Sequence, residues 1–443
     1  MIIDELKKEY AGKKVLVMGL GLQGGGVGVA RFFAELGANV TVTDKKTAKE
    51  LQSSIDALKD FDIRYVLGTH DIHDFLSADV IFKGPSVRWD SPEIKAAEEK
   101  GIPIEMELSF VAQHSLAKII GVTGTRGKST TTQMIYEALS KNGIPVYLGG
   151  NIPQISTIDL LKKLTPTDIL LMELPSWPLS GFHRKKISPH IAVFTNFYPD
   201  HLNYYKSMDE YLYDKKAIYL YQKKDDFLIA NKSLEIIIQK DTLQSTAIYV
   251  TRDDFPWPLE HLRGDHNREN AALALQVGQM YTRDGKVAAH TIAQCKGVPY
   301  RQQLIRTIEG IDFINDTTST TPIATIAAIK SFNDKPIVLI LGGNSKGLPT
   351  DELIDALQSV GSIVFLKGTF TDEIFPHLLE KYPEKISKVF DNIEKAVKNA
   401  FEQAKLMNVK PRIIFSPAAT SFAMFRNEFH RGEEFNRVVK EIL

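Results

Sequence analysis

The stretch GVTGTRGKSTTT, residues 121–132, follows the short run AKII and precedes the helical pattern QMIYEALSKNG. A glycine-rich turn between a strand and a helix exposes backbone N–H groups that can surround phosphate oxygens. Lys128 would then reach the terminal phosphates, and the Ser129 hydroxyl would bind Mg²⁺. The spacing departs from G-x-x-x-x-G-K-[ST], because position 122 is Val and the glycines stand at 121, 124 and 127. We interpret residues 121–129 as a phosphate loop; a glycine-rich connector with a surface lysine is the alternative.

Length, charge and cysteine content limit the classes to which this chain can belong. Its 443 residues suggest two or three domains of about 150 residues each. Lys plus Arg and Asp plus Glu both number 54, so the chain lacks the basic surplus of nucleic-acid-binding proteins. One cysteine, Cys295, excludes an intramolecular disulfide and a cysteine-rich zinc site. A charged N-terminus and the lack of any apolar run near about 18 residues predict a reduced, cytoplasmic protein without an export signal or membrane span.

The N-terminal part of the chain alternates strand-like runs with helical patterns. KVLVMGL (14–20), VGVARFFAELG (27–37) and NVTVTD (39–44) show this alternation, which implies a parallel sheet covered by helices. Within GLGLQG, the glycines at 19, 21 and 24 have the spacing of a dinucleotide-binding turn, and Asp44 ends the next strand. Tight turns need glycine whatever they bind, so this signal alone leaves nucleotide binding open. We predict an N-terminal Rossmann-like domain over residues 1–106.

Two further α/β regions follow. The central region contains the phosphate loop and the strands DILLMEL (168–174) and HIAVFTNF (190–197), which end near Glu173 and Asn196. Ligands of open parallel sheets lie beyond the carboxyl ends of the strands, where both side chains fall. The third region repeats the alternation in FINDTT, PIVLILGG, SIVFLKG and PRIIFSP. We predict a three-domain α/β protein, with a central phosphate-loop domain over 107–297 and a Rossmann-like C-terminal domain over 298–443.

Several polar residues follow strand ends in the central region. Asp200 and His201 stand directly after a strand, and a helical pattern carrying Lys215 follows. A histidine there can bind a metal ion, although a helix-capping aspartate beside a packed histidine is the alternative. Glu173 ends an apolar strand beside the phosphate loop, so its carboxylate is a natural Mg²⁺ ligand.

Three later loops are further candidates for a site. GDHNRENAALAL (264–275) places Asn270 near the head of an alanine-rich helix, where capping alone would explain Asn267. LGGNSKGL (341–348) carries Lys346 in a glycine-containing loop, and FSPAATSF (415–422) carries Ser416 and Ser421. Either of the last two loops could be an ordinary turn.

Seven motifs, taken in order, resemble those of the Mur ligase superfamily. They are GVTGTRGKSTT, MEL at 172–174, ISPHIAVFTNFYPDHL at 187–202, GDHNRENAALAL, IND at 314–316, LGGNSKG and FSPAATSF. The resemblance spans the chain from Lys14 to the C-terminus, and the pattern is most similar to the members that add D-glutamate to UDP-N-acetylmuramoyl-L-alanine. It implies the three-domain architecture of the superfamily and an ATP-dependent amide ligase of cytoplasmic peptidoglycan precursor synthesis. Such ligases phosphorylate a carboxylate to an acyl phosphate, which an amine then attacks.

The resemblance also implies which residues bind ATP and Mg²⁺. The residues implied to contact ATP are Gly124, Thr125, Gly127, Lys128, Ser129, Thr130, Asn270, Arg301 and Asp316. Two Mg²⁺ sites are implied, with ligands from Ser129, Glu173, His201 and Lys215. The implied catalytic residues are Lys128, His201 and a carbamylated Lys215, with Lys216 as the competing assignment for the carbamate. A bare ammonium repels Mg²⁺, whereas a carbamate offers anionic oxygens.

The other substrates have implied sites in all three domains. The UDP-linked donor is implied to contact Gly21, Leu22, Gln23, Asp44 and Asn151. The incoming amino acid is implied to contact Thr320, Lys346, Ser421 and Phe422. The partners expected are therefore small molecules, with neither nucleic acid nor membrane, and a monomer is the expected state.

Some positions depart from the pattern of the superfamily. Residues 175–178, PSWP, replace the polar residues usual after Glu173, Asn344 stands where aspartate is usual, and Arg126 where asparagine is common. The changes at 175–178 and at 344 leave open a Mur-type ligase for another amino acid, such as L-glutamate, or for another donor, whereas ATP should tolerate Arg126 because backbone N–H groups surround the phosphates. Two alternatives are less favoured. An NAD-dependent oxidoreductase built on GLGLQG leaves the phosphate loop unexplained, and an inactive nucleotide-binding relative leaves the candidate catalytic residues unexplained.

Overall fold

The computed structural model of the protein describes residues 2–21, 25–152, 155–201, 204–282 and 284–442. These residues form three α/β units, each built on its own sheet. Apolar runs rich in Val, Ile and Leu form the inner strands of the sheets, which are buried because helices pack on both faces, whereas the edge strands are more exposed. No helix among the described residues is long and apolar enough to cross a membrane.

The first unit carries the glycine-rich turn predicted near the N-terminus. Its elements are α1 (Ile2–Tyr10), β1 (Lys14–Met18), α2 (Gly25–Glu35), β2 (Asn39–Asp44), α3 (Gln52–Asp56), β3 (Ile63–Leu67), α4 (Ile72–Ser77), β4 (Val80–Lys83), α5 (Pro92–Glu99) and β5 (Ile104–Glu105). The strands are parallel in the order β3-β2-β1-β4-β5. The turn therefore follows the central strand of this sheet.

The central unit carries the phosphate loop. Its elements are α6 (Glu107–His114), β6 (Lys118–Thr123), α7 (Lys128–Ser140), β7 (Val146–Gly150), β8 (Ile169–Glu173), α8 (Ser176–Lys185), β9 (Ile191–Phe194), α9 (Met208–Lys216), β10 (Phe227–Asn231), α10 (Glu235–Ile238), β11 (Thr246–Val250), α11 (Asp265–Tyr281) and α12 (Gly285–Ala293). The strands are parallel in the order β11-β10-β9-β6-β8-β7. Because β6 lies inside this sheet, the phosphate loop lies between the ends of two neighbouring strands.

The third unit differs from the predicted βα alternation at its first strand. Its elements are β12 (Gln303–Ile308), β13 (Ile311–Asn315), α13 (Pro322–Ser331), β14 (Ile337–Gly342), α14 (Asp351–Ala356), β15 (Ser362–Leu366), α15 (Thr369–Lys381), β16 (Ile386–Phe390), α16 (Ile393–Lys405), β17 (Arg412–Phe415) and α17 (Glu428–Glu441). The strand order is β12-β13-β17-β14-β15-β16, with only the β12–β13 pair antiparallel among the described strands. Glu309 (φ +50) and Gly310 (φ +79) form the two-residue turn of this hairpin, as such turns require positive φ.

The hydrophobic cores show how the three units are joined. One core is continuous from the first sheet to one face of the central sheet and includes Phe33, Phe82 and Phe194. The other face of the central sheet packs against α7, α11 and α12. The third sheet has one core on each of its faces, and among the described residues neither is continuous with the cores of the first and central sheets. The third unit therefore meets the central unit mainly through polar contacts, an interface that favours movement between domains.

Candidate active site

The phosphate loop lies at the carboxyl edge of the central sheet. β6 is flanked by β8 and β9, so the loop lies between Glu173, which ends β8, and Thr195, which follows β9. Gly124 has φ +144, and a Cβ there would lie 1.9 Å from Thr195 Oγ1. Gly127 has φ +82, and a Cβ there would lie 2.3 Å from Asn270 Oδ1. Side chains are thus excluded at both positions, and the bare backbone can approach a ligand closely.

Hydrogen bonds from the segment after β9 fix the shape of the loop. Arg126 N donates to Asn196 Oδ1 at 2.8 Å, and Arg126 O accepts from Thr195 Oγ1 at 2.5 Å. Thr125 N donates to Asn196 O at 2.9 Å. α7 begins at Lys128, within the last residues of the loop, and the N–H groups of its first turn have no acceptor within the helix. The loop and the helix N-terminus together form an anion-binding arrangement.

Two lysines converge on the same carbonyl oxygen of the loop. Lys128 Nζ donates to Gly124 O at 2.9 Å and to Thr125 O at 3.0 Å. Lys215 Nζ, from α9, donates to Gly124 O at 2.9 Å, and Lys215 is only 1% exposed. Burial lowers the pKa of Lys128 to about 8, although Glu173 opposes the change. Burial and the charge of Lys128 lower the pKa of Lys215 well below its usual value, which favours a neutral amine.

Asp200 is a buried anion that Arg126 and Lys346 share. It is 2% exposed and accepts from Arg126 Nη2 and Lys346 Nζ, each at 3.2 Å. Although burial opposes ionisation, the charges of Arg126, Lys346 and His201 hold the pKa of Asp200 well below its usual range. Asp200 therefore remains an anion and links a cation of the central unit to one of the third unit.

His201 lies beside this carboxylate in a neutral form. Its Nε2 is 3.7 Å from Asp200 Oδ2, and its ring centroid is 5.1 Å from that of Trp177. Burial lowers the pKa of His201 to about 4, although Asp200 opposes the change. A neutral imidazole can bind a metal ion at neutral pH.

The side chains present fit Mg²⁺ only in part. Glu173 is 5% exposed, and its charge raises the pKa of Lys128 and of Arg301 against the lowering by burial. No group of three or more His, Cys, Asp or Glu in the described part of the chain could hold a metal ion. Because Mg²⁺ prefers about six oxygen ligands, Glu173 and the Ser129 hydroxyl fit it only together with oxygens from further groups.

The third unit brings predicted residues to the phosphate loop. Arg301 Nη2 donates to Ser129 Oγ at 3.1 Å. Lys346 Nζ donates to Thr320 Oγ1 at 3.3 Å as well as to Asp200. Predicted ATP-binding and amino-acid-binding residues from two units therefore meet at one place.

Asp316 has a different environment from Asp200. It accepts from Ser319 Oγ at 2.6 Å, Ser416 Oγ at 2.7 Å and Gln302 N at 3.1 Å. Burial nevertheless raises the pKa of Asp316 to about 6. At neutral pH this carboxylate is an anion that hydroxyl and amide donors stabilise.

A cleft continues from the phosphate loop between the central and third units. Its lining includes the predicted residues Gly127, Thr130, Asn270, Arg301 and Asp316. Apolar side chains also line it: Leu262, Val298, Ile323, Ala324 and Ala327. The cleft therefore combines many polar side chains with one apolar patch, which suits a small organic ligand that has both polar groups and an apolar ring.

The glycine-rich turn of the first unit is organised around Asp44. Its Oδ2 accepts from Leu20 N at 3.0 Å and Gly21 N at 3.4 Å, and its Oδ1 accepts from Lys46 N at 2.9 Å. Both carboxylate oxygens of Asp44 thus bind backbone N–H groups. The predicted donor-binding residues Leu22 and Gln23 lie outside the described residues.

Asn151 lies next to the metal-ligand candidate Glu173. Its backbone N donates to Glu173 O at 2.9 Å. Gly150 has φ +88, and a Cβ there would lie 2.2 Å from Glu173 O, so the chain passes close to the end of β8. Asn151 is exposed and can contact a ligand at this edge.

Two loops of the third unit bring together the other amino-acid-binding candidates. Asn344 N donates to Thr420 O at 3.2 Å, and Thr420 N donates to Asn344 O at 2.9 Å. Lys346 and Ser421 therefore lie on paired loops. Ser421 Oγ is buried without a hydrogen-bond partner among the described residues, whereas Phe422 is 68% exposed.

Sequence reasoning gave no role to several residues of this region. For Asp200 the sequence shows only that it follows a strand, and for Arg126 it predicts only a change that ATP tolerates. His266 lines the cleft and stands within GDHNRENAALAL, so its place in that motif is a usable signal. Ile323 has no such signal, because only the packing of the third unit brings it to the cleft.

Comparisons with known proteins agree with this geometry. Residues 13–105 match the family "Mur ligase MurD-like, N-terminal domain", and residues 122–255 match "Mur ligase middle domain". The chain is 34% identical to a "UDP-N-acetylmuramoylalanine--D-glutamate ligase" of Roseiflexus sp. (strain RS-1), over 98% of this chain and 99% of the relative. It is 35% identical to the same-named protein of Borreliella afzelii (strain PKo), over 99% of each.

Solved structures show the same fold at lower identity. The UDP-N-acetylmuramate-alanine ligase MurC of Thermotoga maritima superposes with a TM-score of 0.60 at 18% identity, covering 97% of this chain and 99% of that chain. The MurF ligase of Thermotoga maritima, solved in complex with ADP, gives a TM-score of 0.57 at 17% identity, covering 98% and 97%. The predicted three-domain α/β architecture is confirmed. This chain belongs to the Mur ligase family of ATP-dependent, ADP-forming amide ligases.

Proposed function

We propose that this chain joins D-glutamate to the alanyl carboxyl group of UDP-N-acetylmuramoyl-L-alanine, with conversion of ATP to ADP and phosphate, in peptidoglycan precursor synthesis. The observation that carries the proposal is full-length similarity, at 34 and 35% identity, to two proteins named for this reaction. Arg301 contacts Ser129 of the phosphate loop, and Lys346 contacts Asp200, which also binds Arg126 of the loop. These contacts agree with the proposal, because such a reaction needs ATP and the amino acid side by side.

ATP would occupy the phosphate loop and the adjoining cleft. The N–H groups of residues 124–130 would contact the phosphates, and Lys128 and Arg301 would offset their charge. The base would enter the cleft between the central and third units, where apolar walls suit an aromatic ring. Asn270 and Asp316 would supply polar contacts there.

Two Mg²⁺ ions would be held by Ser129, Glu173, His201 and Lys215, together with phosphate oxygens. Bound Mg²⁺ neutralises negative charge on a transferred phosphoryl group. Lys215 fits this role as a carbamate, because a buried neutral amine is a nucleophile toward CO₂ and the positive charge of Lys128 favours the anionic product. Lys216 pairs with Asp241 at 2.8 Å instead, so we assign the carbamate to Lys215.

The residues of the chain position the reacting groups. The alanyl carboxylate of the donor would attack the terminal phosphoryl group, ADP would leave, and the amine would then attack the acyl phosphate and displace phosphate. Lys128 and Arg301 would bind the phosphoryl oxygens as their charge is redistributed. Closure of the third unit would keep water away from the acyl phosphate, which otherwise hydrolyses.

The amino acid would lie between the third unit and the phosphate loop. Its side-chain carboxylate would bind Lys346, whose ammonium suits that charge, and Thr320 lies beside this group. Ser421 offers a buried hydroxyl without a partner among the described residues, and Phe422 offers an exposed ring. These contacts are compatible with glutamate of either chirality.

The first unit would hold the UDP part of the donor. Gly21 belongs to the turn after β1, which Asp44 fixes through backbone N–H groups, and Leu22 and Gln23 follow Gly21 in the sequence. Asn151, beside Glu173, would approach the muramyl part. In an NAD-binding turn the acidic residue binds the ribose hydroxyls, but here backbone groups already engage both oxygens of Asp44, which disfavours an oxidoreductase.

The test is an ADP-release assay with purified protein, ATP, Mg²⁺ and UDP-N-acetylmuramoyl-L-alanine. A panel of D- and L-amino acids is added singly, and the product is identified by mass spectrometry. We expect release that depends on D-glutamate; dependence on L-glutamate alone would assign a different member of the family. Absence of turnover with every amino acid, or tight NADH binding in a fluorescence titration, would contradict the proposal. Cytoplasmic location and a monomeric state remain predictions for fractionation and sedimentation experiments.

A further inference from the structure

Arg126 is a phosphate-loop residue whose side chain leaves the loop and reaches the third unit. Its main chain is fixed on both sides by Thr195 and Asn196, as described above. Its Nη2 donates to Thr321 Oγ1 at 2.5 Å and to Asp200 Oδ2 at 3.2 Å. A single nitrogen thus connects the phosphate loop, the buried anion of the central unit and the residue that precedes α13.

The rest of the guanidinium is incompletely bonded. Nε of Arg126 is buried and has no hydrogen-bond partner among the described residues. A buried, charged N–H without an acceptor costs more free energy than an exposed one, so such a group marks a position where an acceptor is expected. An anionic oxygen is the strongest acceptor for a guanidinium.

Neighbouring residues indicate which anion would provide that oxygen. Arg126 lies in the same cleft as Gly127 and Thr130, where the phosphates of ATP are proposed to bind. Thr321, which it contacts, follows Thr320, which binds Lys346 of the proposed amino-acid site. The phosphoryl group between the loop and the amino-acid site is the terminal one, because it is the group transferred to the donor carboxylate.

We propose that Arg126 recognises the terminal phosphoryl group through Nε while Nη2 holds Thr321, so that one side chain binds the group to be transferred and the third unit together. This inference rests on the proposed function. It gives Arg126 two measurable roles: discrimination of a nucleoside triphosphate from a diphosphate, and attachment of the third unit to the loaded phosphate loop.

The test compares the affinities of ADP and of β,γ-imido-ATP, each with Mg²⁺, by calorimetry on the full-length protein. A hydrogen bond to a charged group contributes enough that Arg126→Ala should weaken binding of the imido analogue about tenfold or more. Binding of ADP, which lacks the terminal phosphoryl group, should change less than about threefold. Thermal unfolding of the variant identifies a loss of fold; in that case Arg126→Met, which retains most of the aliphatic part of the side chain and has no N–H donor, should give the same selective loss.

Two matched variants separate the two roles. Thr321→Val removes the hydroxyl contact and no helix cap, because the Thr321 side chain makes no capping hydrogen bond. It should lower kcat/KM for the amino acid about fivefold or more and leave both nucleotide affinities unchanged. Arg263→Ala removes another arginine that links the two units, at 3.2 Å from Asp334, but its side chain is half exposed and does not line the cleft, so it should change neither quantity.

Three results would overturn the inference: equal weakening of ADP and the imido analogue in Arg126→Ala, no weakening of either, or the same selective loss in Arg263→Ala. The proposed function is judged separately, by amino-acid-dependent ADP release from the wild-type protein. Nucleotide affinities require no turnover, so the two hypotheses can fail independently.

Discussion

Carbamylation of Lys215 is a prediction whose size can be worked from the geometry. Lys128 Nζ and Lys215 Nζ each donate to Gly124 O at 2.9 Å, so the two nitrogens lie at most twice 2.9 Å, or about 5.8 Å, apart. Two positive charges at that separation repel by about 3 kcal/mol at an effective dielectric constant near 20. Lys215 avoids this repulsion as a neutral amine, and a carbamate on Lys215 adds an attraction to Lys128 of the same order. The wild-type protein should therefore carry the modification when CO₂ is present.

The assay is ¹³C NMR of protein equilibrated with ¹³C-labelled bicarbonate, combined with rate measurements. Wild-type protein should show one carbamate signal, which Lys215→Ala should lack. Turnover of Lys215→Ala should fall at least about a hundredfold, because a charged metal ligand is lost. Lys216→Ala is the matched control; its ammonium pairs with Asp241, so the variant should retain both the signal and the activity.

The reasoning fails if the carbamate signal persists in Lys215→Ala or disappears in Lys216→Ala. It also fails if Lys215→Ala retains activity within about tenfold of the wild type, since a group that holds the metal cannot be dispensable. Depletion of bicarbonate before the assay should slow the wild-type protein and leave the residual rate of Lys215→Ala unchanged.

Three further predictions follow from the same region. Lys128→Ala should lower kcat/KM at least about a hundredfold with little change in melting temperature, because in the described part of the chain its Nζ donates hydrogen bonds only to its own loop. Gly127→Ala should weaken ATP binding, measured by calorimetry, and cost about 1–3 kcal/mol of stability, since φ is +82 and the new Cβ would lie 2.3 Å from Asn270 Oδ1. Burial lowers the pKa of His266 from 6.5 to about 4, so its stabilising contribution is full above pH 6.5 and is lost as the pH falls through 4. Between pH 6.5 and pH 4, the free energy of unfolding measured by urea denaturation should fall by up to about 3 kcal/mol less in His266→Gln than in the wild type. An equal fall in the two proteins would contradict the assignment.

Local patterns in the sequence were sufficient for the fold class and the phosphate loop. Alternating strand and helix patterns depend on residues close in the chain, and they correctly predict parallel α/β units, apart from the antiparallel strand β12. The glycines at 124 and 127 are required by backbone angles and contacts at the turn itself. Such requirements can be read from the sequence because the chain geometry that imposes them spans only a few residues.

Contacts between distant residues were decided only by the tertiary structure. Lys215 and Lys216 are adjacent on one helix, where successive side chains point about 100° apart, so only packing selects Lys215 as the one buried under the phosphate loop. Similarly, no spacing in the sequence predicts that Arg126 reaches Thr321 or that Asp44 turns both oxygens toward backbone N–H groups. These contacts depend on side-chain directions and on how separate sheets pack, and neither is encoded in a short pattern.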